Sequence, residues 1–238
     1  MRSDADKQYI LVLIEATVNG AKECLAISDG YRESEQSWLE VLVSLTQRGL
    51  HTAPKLAIGD GALGFWKALS KVYGTTRHQR CWVHQTCNVL DKVPNSMQAH
   101  VKATLQDSWR SPSRELAMTA FKNFAQMYRA KYPKAVECVE HDLDVLLTFY
   151  DFPAEHWQHL RTTTPIESTF ATVRLRTAKT RGCVSRGTIL AMVFKWGQSA
   201  EKGWLRLRGY RRLGDVMGGG NFIDGVSEKE VNKGRKVA

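Results

Sequence analysis

The chain has 238 residues, 43% of them hydrophobic and 24% charged, with a formal net charge of +10. That length allows one sizeable core, or one core with a smaller insertion, and the composition is ordinary for a soluble globular protein. No apolar run of about 18 residues is present to cross a membrane, and the polar start Met1–Lys7 is not a signal peptide. The five scattered cysteines (Cys24, Cys81, Cys87, Cys138 and Cys183) exclude a secreted disulfide framework and point to a reducing, cytoplasmic setting.

Tyr9 to Ala16 is a continuous β-rich apolar run, which predicts a strand covered on both faces. Asn19-Gly20 marks a hairpin turn, and Lys22 to Ile27 reads as the partner strand. Ser34 can cap a helix whose stripe is Trp38, Val41, Leu42 and Leu45, with Gly49 ending it. A short strand over Lys55 to Ile58 stops at Gly59-Asp60-Gly61. A helix over Phe65 to Val72 and a strand over Arg77 to Val83 follow. From Ser96 to Tyr150 the pattern is helical. Its three stripes are Met97, Val101, Leu105 and Trp109; then Leu116, Ala120, Phe124 and Met127; then Val136, Val139, Leu143, Leu146 and Leu147. Pro112 and Pro133 punctuate them. The expected organisation is therefore α/β: a first core part over 1–95, an all-helical insertion over 96–152, a second core part over 153–212, and a flexible tail over 213–238.

The charge is concentrated. Between Arg161 and Arg212 stand twelve Lys and Arg against two acids, Glu167 and Glu201, while the rest of the chain is neutral. Phe170, Phe194, Trp196, Trp204 and Tyr210 are interleaved with it. Such a segment suits a phosphate backbone, whose counterions clustered Lys and Arg displace. An acidic protein partner, or simply a solvated basic face, is the other reading.

Three places could carry chemistry. Asp60 ends a buried strand, where ligands of open α/β sheets gather and a carboxylate can hold a cation; Gly-Asp-Gly is equally ordinary turn chemistry. Glu167 follows Thr164 and Pro165, so it could complete a capping box at a helix start or act beyond it, opening a basic stretch with Arg174, Arg176, Lys179 and Arg181. His78, Cys81, His84 and Cys87 are spaced by three, as in half a zinc site. No second pair stands nearby, and buried structural residues are the alternative.

Taken together, several runs resemble the Mutator-type family of bacterial insertion-sequence transposases. Asp29–Trp38 resembles the family's segment before its first core helix, and Gly59–Trp66 the segment around its second catalytic aspartate. Gln79–His84 is similar to its Cys-x-x-His signature, Tyr132–Ala135, Leu143–Leu147 and Pro153–Trp157 to its insertion, and Arg161–Arg176 to the segment of the catalytic glutamate. The resemblance runs in family order over about Lys7 to Trp204.

It implies an RNase H-like mixed sheet with an all-α insertion and an Asp-Asp-Glu triad, in which Asp60 and Glu167 are the second and third acids. Such carboxylates hold two Mg²⁺ or Mn²⁺ ions for cutting transposon-end DNA and joining a 3′-hydroxyl to target DNA. Arg161, Arg174, Arg176, Lys179 and Arg181 would contact DNA, with Cys81 and His84 near the centre. The implied partners are the terminal inverted repeats, target DNA and further copies of the chain in the active complex, with no membrane. The fold needs three strands before its first helix, and only two are legible. Strand one with the first acid is therefore expected upstream of Met1, together with the family's DNA-end-recognition region. A catalytically incomplete fragment that only grips DNA is the alternative function. Thr164 stands where the family has Asn, and Glu15 where it has a small residue.

Overall fold

The structure is a computed structural model that describes residues 8–31, 34–163, 166–167 and 186–235. It divides into two compact units, the first made of 1–55, 62–76 and 163–213, the second of 56–61, 77–162 and 214–238. This division groups the short strands around Asp60 with the helical block.

In the first unit, β1 (Gln8–Ala16) and β2 (Lys22–Tyr31) form an antiparallel hairpin with an irregularity at Leu13/Ile14. Asn19 organises the turn through its side-chain oxygen, which accepts from the Ala21 amide at 2.9 Å and the Thr17 hydroxyl at 2.6 Å. The hairpin is as the sequence predicts, but β2 runs four residues longer and β1 is not covered on both faces. Leu11 is buried, Ile10 is exposed, and Val12 to Glu15 are half-buried. Among the described residues β1 has a ladder partner on one edge only.

Helix α1 (Glu35–Gln47) starts where Ser34 accepts from the Ser37 amide at 3.2 Å, and it buries Val41, Leu42 and Leu45. It packs on α2 (Leu63–Val72), with the Trp38 and Phe65 rings edge-on at 4.9 Å. Helix α9 (Arg186–Glu201) crosses β2 so closely that a side chain at Gly197 would meet Ile27 at 2.7 Å.

In the second unit, β3 (Leu56–Gly59) pairs in parallel with β4 (Arg77–Arg80). The chain then turns into α3 (Trp82–Leu90), so the strand expected through Val83 stops at Arg80 and Trp82 opens a helix. Helices α4 (Asn95–Arg110), α5 (Arg114–Tyr128), α6 (Pro133–Glu140), α7 (Leu143–Leu146) and α8 (Trp157–Leu160) follow. Val89, Val101, Leu105, Phe124, Val136, Val139, Leu146 and Phe149 are all fully buried in one cluster. The first and third predicted stripes face it. The second does not: Leu116 and Met127 are exposed, and α5 turns Ala117, Phe121, Phe124, Ala125 and Tyr128 inward. Leu116 and Met127 flank the true stripe by one position, a rotation that periodicity tolerates because Phe124 belongs to both.

Residues 213–235, expected as a flexible tail, form a helix (Leu213–Met217), a β-hairpin (Phe222–Ile223 with Val226–Ser227) and a last helix (Glu228–Arg235). The hairpin is fastened within its unit: Asp224 accepts from the Arg114 amide at 2.7 Å, and Gly225 exchanges backbone hydrogen bonds with Tyr150 and Ala154, each 3.1 Å. The described strands make three separate two-stranded sheets, and none of them hydrogen-bonds to both the β1–β2 and the β3–β4 pair. The described residues are thus mixed α/β, as expected, with their strands in small sheets.

Glu15, unexplained by sequence, lies directly opposite Glu23 in the hairpin register. Burial, and then the Glu23 charge, push its carboxyl pKa up. A raised folded-state pKa favours the protonated form, so the contribution to stability is present below the unfolded carboxylate range and is lost as pH rises through the folded value. At neutral pH the pair is therefore a penalty. Glu15→Gln is expected to stabilise the protein by about 0.2–1 kcal/mol at pH 7. Urea melts should show the gain shrinking toward pH 4, and an equal gain at both pH values contradicts the charge argument.

Candidate active site

Gly59 and Arg80 are paired at the carboxyl ends of β3 and β4, so both strands stop at the same edge. The Cys81 amide donates to the Gly59 carbonyl at 2.8 Å and extends that edge by one residue. Asp60, next along from Gly59, is exposed there, while Cys81 is fully buried at the start of α3 and His84 lies one turn on, half-buried. Gly61 takes φ +101°, which allows the chain to swing away after Asp60 at little cost. The structure thus brings Asp60 and the Cys81–His84 pair to one strand edge.

Beneath it, β4 is locked from below. The fully buried Gln79 donates through Nε2 to the carbonyls of Arg80 at 2.8 Å and Leu146 at 3.0 Å, and its Oε1 accepts from the Phe149 amide at 2.8 Å. The Trp82 indole donates to Leu146 at 2.8 Å, and its amide donates to the Arg161 carbonyl at 2.9 Å. The helical block therefore holds the strand edge through backbone carbonyls, which do not change with side-chain rotamer. Gln79, which the sequence offers only as the first residue of the Gln79–His84 run, is the central fastener.

His78, Cys81, His84 and Cys87 do not gather as a zinc site: among the described residues no three of them bring ligand atoms within 4.8 Å of one another. His78 is on β4, where burial lowers its pKa, and Cys87 is exposed on α3.

Glu167 belongs to the other compact unit. The amides of Ile166 and Glu167 donate to the Thr163 carbonyl at 2.9 and 3.3 Å, and the Thr163 hydroxyl donates to the Glu167 carboxylate at 2.9 Å. The buried Thr163 thus orients the acid. Thr164 and Pro165, which carried the expected capping box, lie outside the described residues, as do Arg174, Arg176, Lys179 and Arg181.

Arg161 is described, and its side chain turns inward. Nε donates to the Trp157 carbonyl at 3.1 Å, another guanidinium nitrogen donates to the Trp109 carbonyl, and the group lies 5.3 Å from the centre of the Phe149 ring. Burial lowers its pKa.

The pattern of the family described as "Transposase, Mutator family" matches residues 2–205. The chain belongs to that family. It is 52% identical over 217 residues to the transposase for insertion sequence element IST2 of Acidithiobacillus ferrooxidans, an alignment covering 91% of this chain and 73% of that protein. It is 47% identical over 225 residues to the transposase for IS6120 of Mycolicibacterium smegmatis, covering 94% and 69%. The transposase for IS905 of Lactococcus lactis is 30% identical over 178 residues, 75% of this chain and 45% of that protein. Among the described residues of this family member, no helix is long and apolar enough to cross a membrane.

The inward Arg161 yields a testable outcome. Arg161→Met removes donors from two carbonyls of the helical unit and is expected to cost about 1–3 kcal/mol, read as a lower urea midpoint. DNA affinity at a temperature where the variant is folded should keep its salt dependence; a flatter slope assigns Arg161 to DNA instead.

Proposed function

We propose that this chain performs metal-dependent phosphoryl transfer on DNA, cutting the terminal inverted repeats of an insertion sequence and joining their 3′-hydroxyl ends to target DNA. The observation that carries the reading is Asp60, an exposed carboxylate at the carboxyl end of a parallel strand whose partner strand is fastened to the helical block, in a chain of the transposase family. Asp60 and Glu167 are the proposed acids. Their hard oxygen donors suit Mg²⁺ or Mn²⁺, whereas the sulfur of the buried Cys81 is soft and unsuited to such an ion. When bound, a pair of divalent ions activates the attacking oxygen and neutralises the leaving one. Asp60 contributes from a fixed strand end, and Glu167 from a carboxylate oriented by Thr163. Cys81 and His84 are proposed to shape the edge beside Asp60. Arg174, Arg176, Lys179 and Arg181 grip phosphates, while Arg161 serves the fold. Copies of the chain are proposed to assemble on the DNA ends.

Two experiments test this. With the first acid of the triad supplied, Asp60→Asn and Glu167→Gln should each abolish Mg²⁺- or Mn²⁺-dependent cleavage of terminal-repeat DNA with unchanged helix content by circular dichroism. Gln satisfies a helix cap as well as Glu does, so cleavage at the normal rate by Glu167→Gln would reduce that residue to a structural one. Replacing Arg174, Arg176 and Arg181 together by Ala should weaken binding to all sequences alike. The log–log salt slope should flatten by about 0.9 for each phosphate that is no longer neutralised. Retained binding with the slope intact excludes these residues from the DNA interface.

A further inference from the structure

Arg80 is the residue paired with Gly59 at the end of β4, and its side chain runs under the turn that carries Asp60. A Cβ at Gly61 would stand 2.5 Å from the guanidinium carbon, 2.7 Å from one terminal nitrogen and 2.8 Å from Nε. The guanidinium plane therefore fills the space a side chain at 61 would take. The other terminal nitrogen donates to Asp142, between α6 and α7, at 2.5 Å, with the two side chains only 18% and 13% exposed. Nε is wholly buried and has no hydrogen-bond partner among the described residues. Leu146 and Phe149, which hold Gln79 next to Arg80, come from the same helical block as Asp142.

We propose that Arg80, anchored by Asp142, is a positioning residue for Asp60: it wedges beneath Gly61 and fixes the direction in which the Asp60 carboxylate leaves the strand edge. The proposal rests on the reading of Asp60 as a metal-holding acid. It gives the helical block a role in the reaction, because Asp142 lies in that block while the acid lies at the end of β3. It also explains why position 61 is glycine for two reasons at once, the backbone angle and the occupied space. Lysine would not substitute. Its ammonium can meet Asp142, but it has no planar group to lie against Gly61.

The test uses the full chain with the first acid of the triad supplied, unsubstituted and with Asp60→Asn, Arg80→Lys, Arg80→Met or Asp142→Asn. The readouts are Mn²⁺ binding by electron paramagnetic resonance, the rate of Mn²⁺-dependent cleavage of terminal-repeat DNA, DNA affinity and thermal melting. Asp60→Asn should lose both Mn²⁺ uptake and cleavage. Arg80→Lys, which keeps the charge and the fold, should weaken Mn²⁺ binding and slow cleavage by about 10- to 100-fold, with DNA affinity and melting unchanged, as expected for a misplaced carboxylate. Arg80→Met should be at least as impaired, and Asp142→Asn should fall between Arg80→Lys and the unsubstituted chain. Normal Mn²⁺ binding in both Arg80 variants, beside an inactive Asp60→Asn, overturns the positioning role alone. Undiminished Mn²⁺ uptake or cleavage in Asp60→Asn overturns the reading of Asp60 on which it rests. If every Arg80 variant loses melting temperature and DNA affinity in proportion to cleavage, Arg80 is a packing residue and the proposal fails.

Discussion

The parallel pairing of β3 with β4 is the constraint on which the site depends. Each strand is four residues long, so neither is stable alone, and their ladder is short enough to slip. Registration comes from outside the ladder. Gln79 is tied to Leu146 and Phe149, and the Trp82 indole to Leu146, so β4 is held at both its penultimate residue and its exit. Through Gly59↔Arg80 and the Cys81 amide, that registration passes to β3 and to Asp60. A shift of one residue would move Asp60 off the edge and turn Gln79 out of the core, where its amide would lose Leu146 and Phe149.

Much of the helical unit's stability follows from the same arrangement. Its core is nearly all aliphatic and aromatic, with Trp82 against Trp109 at 5.0 Å and Phe149 against Trp157 at 5.4 Å. The polar groups buried within it serve as fasteners between elements: Gln85 to Cys138, Tyr150 to Ser111, Arg161 to Trp109 and Trp157. Breaking one of these leaves a carbonyl unsatisfied in an apolar setting, which is costlier than breaking a hydrogen bond that water can replace.

What is legible in the sequence is what local chemistry dictates. Asn19-Gly20 specifies a turn, Ser34 specifies a cap, and Val101, Leu105, Val136 and Val139 specify inward faces, each within a window of a few residues. What is not legible depends on distant partners. Val83 reads as strand because it is β-branched, yet the turn into α3 is set by the Cys81 amide reaching Gly59 and the Trp82 amide reaching Arg161. The C-terminal hairpin reads as tail because Gly218-Gly219-Gly220 precedes it. Its anchors, Tyr150, Ala154 and Arg114, lie some 70 to 110 residues away. Asp60 stands out because Gly-Asp-Gly at a strand end admits both a turn reading and a cation-holding one. Gln79 does not stand out, because a glutamine between basic residues looks like surface.

Charge shows the same division between count and role. Twelve basic residues between Arg161 and Arg212 make that segment a phosphate-seeking stretch by composition, and a count gives each the same weight. The structure separates them. Arg161 gives its donors to two backbone carbonyls and its face to Phe149. Lys195, Lys202, Arg206 and Arg211 are exposed to the ions of the solvent. Arg80, outside the segment and invisible to that count, lies beneath the turn that carries Asp60 with its charge matched by Asp142. Net charge predicts the class of partner because long-range attraction sums over all residues, buried or not. It cannot say which arginine touches a phosphate and which holds a strand in place, because that choice is made by carbonyls and carboxylates that the fold brings from elsewhere in the chain.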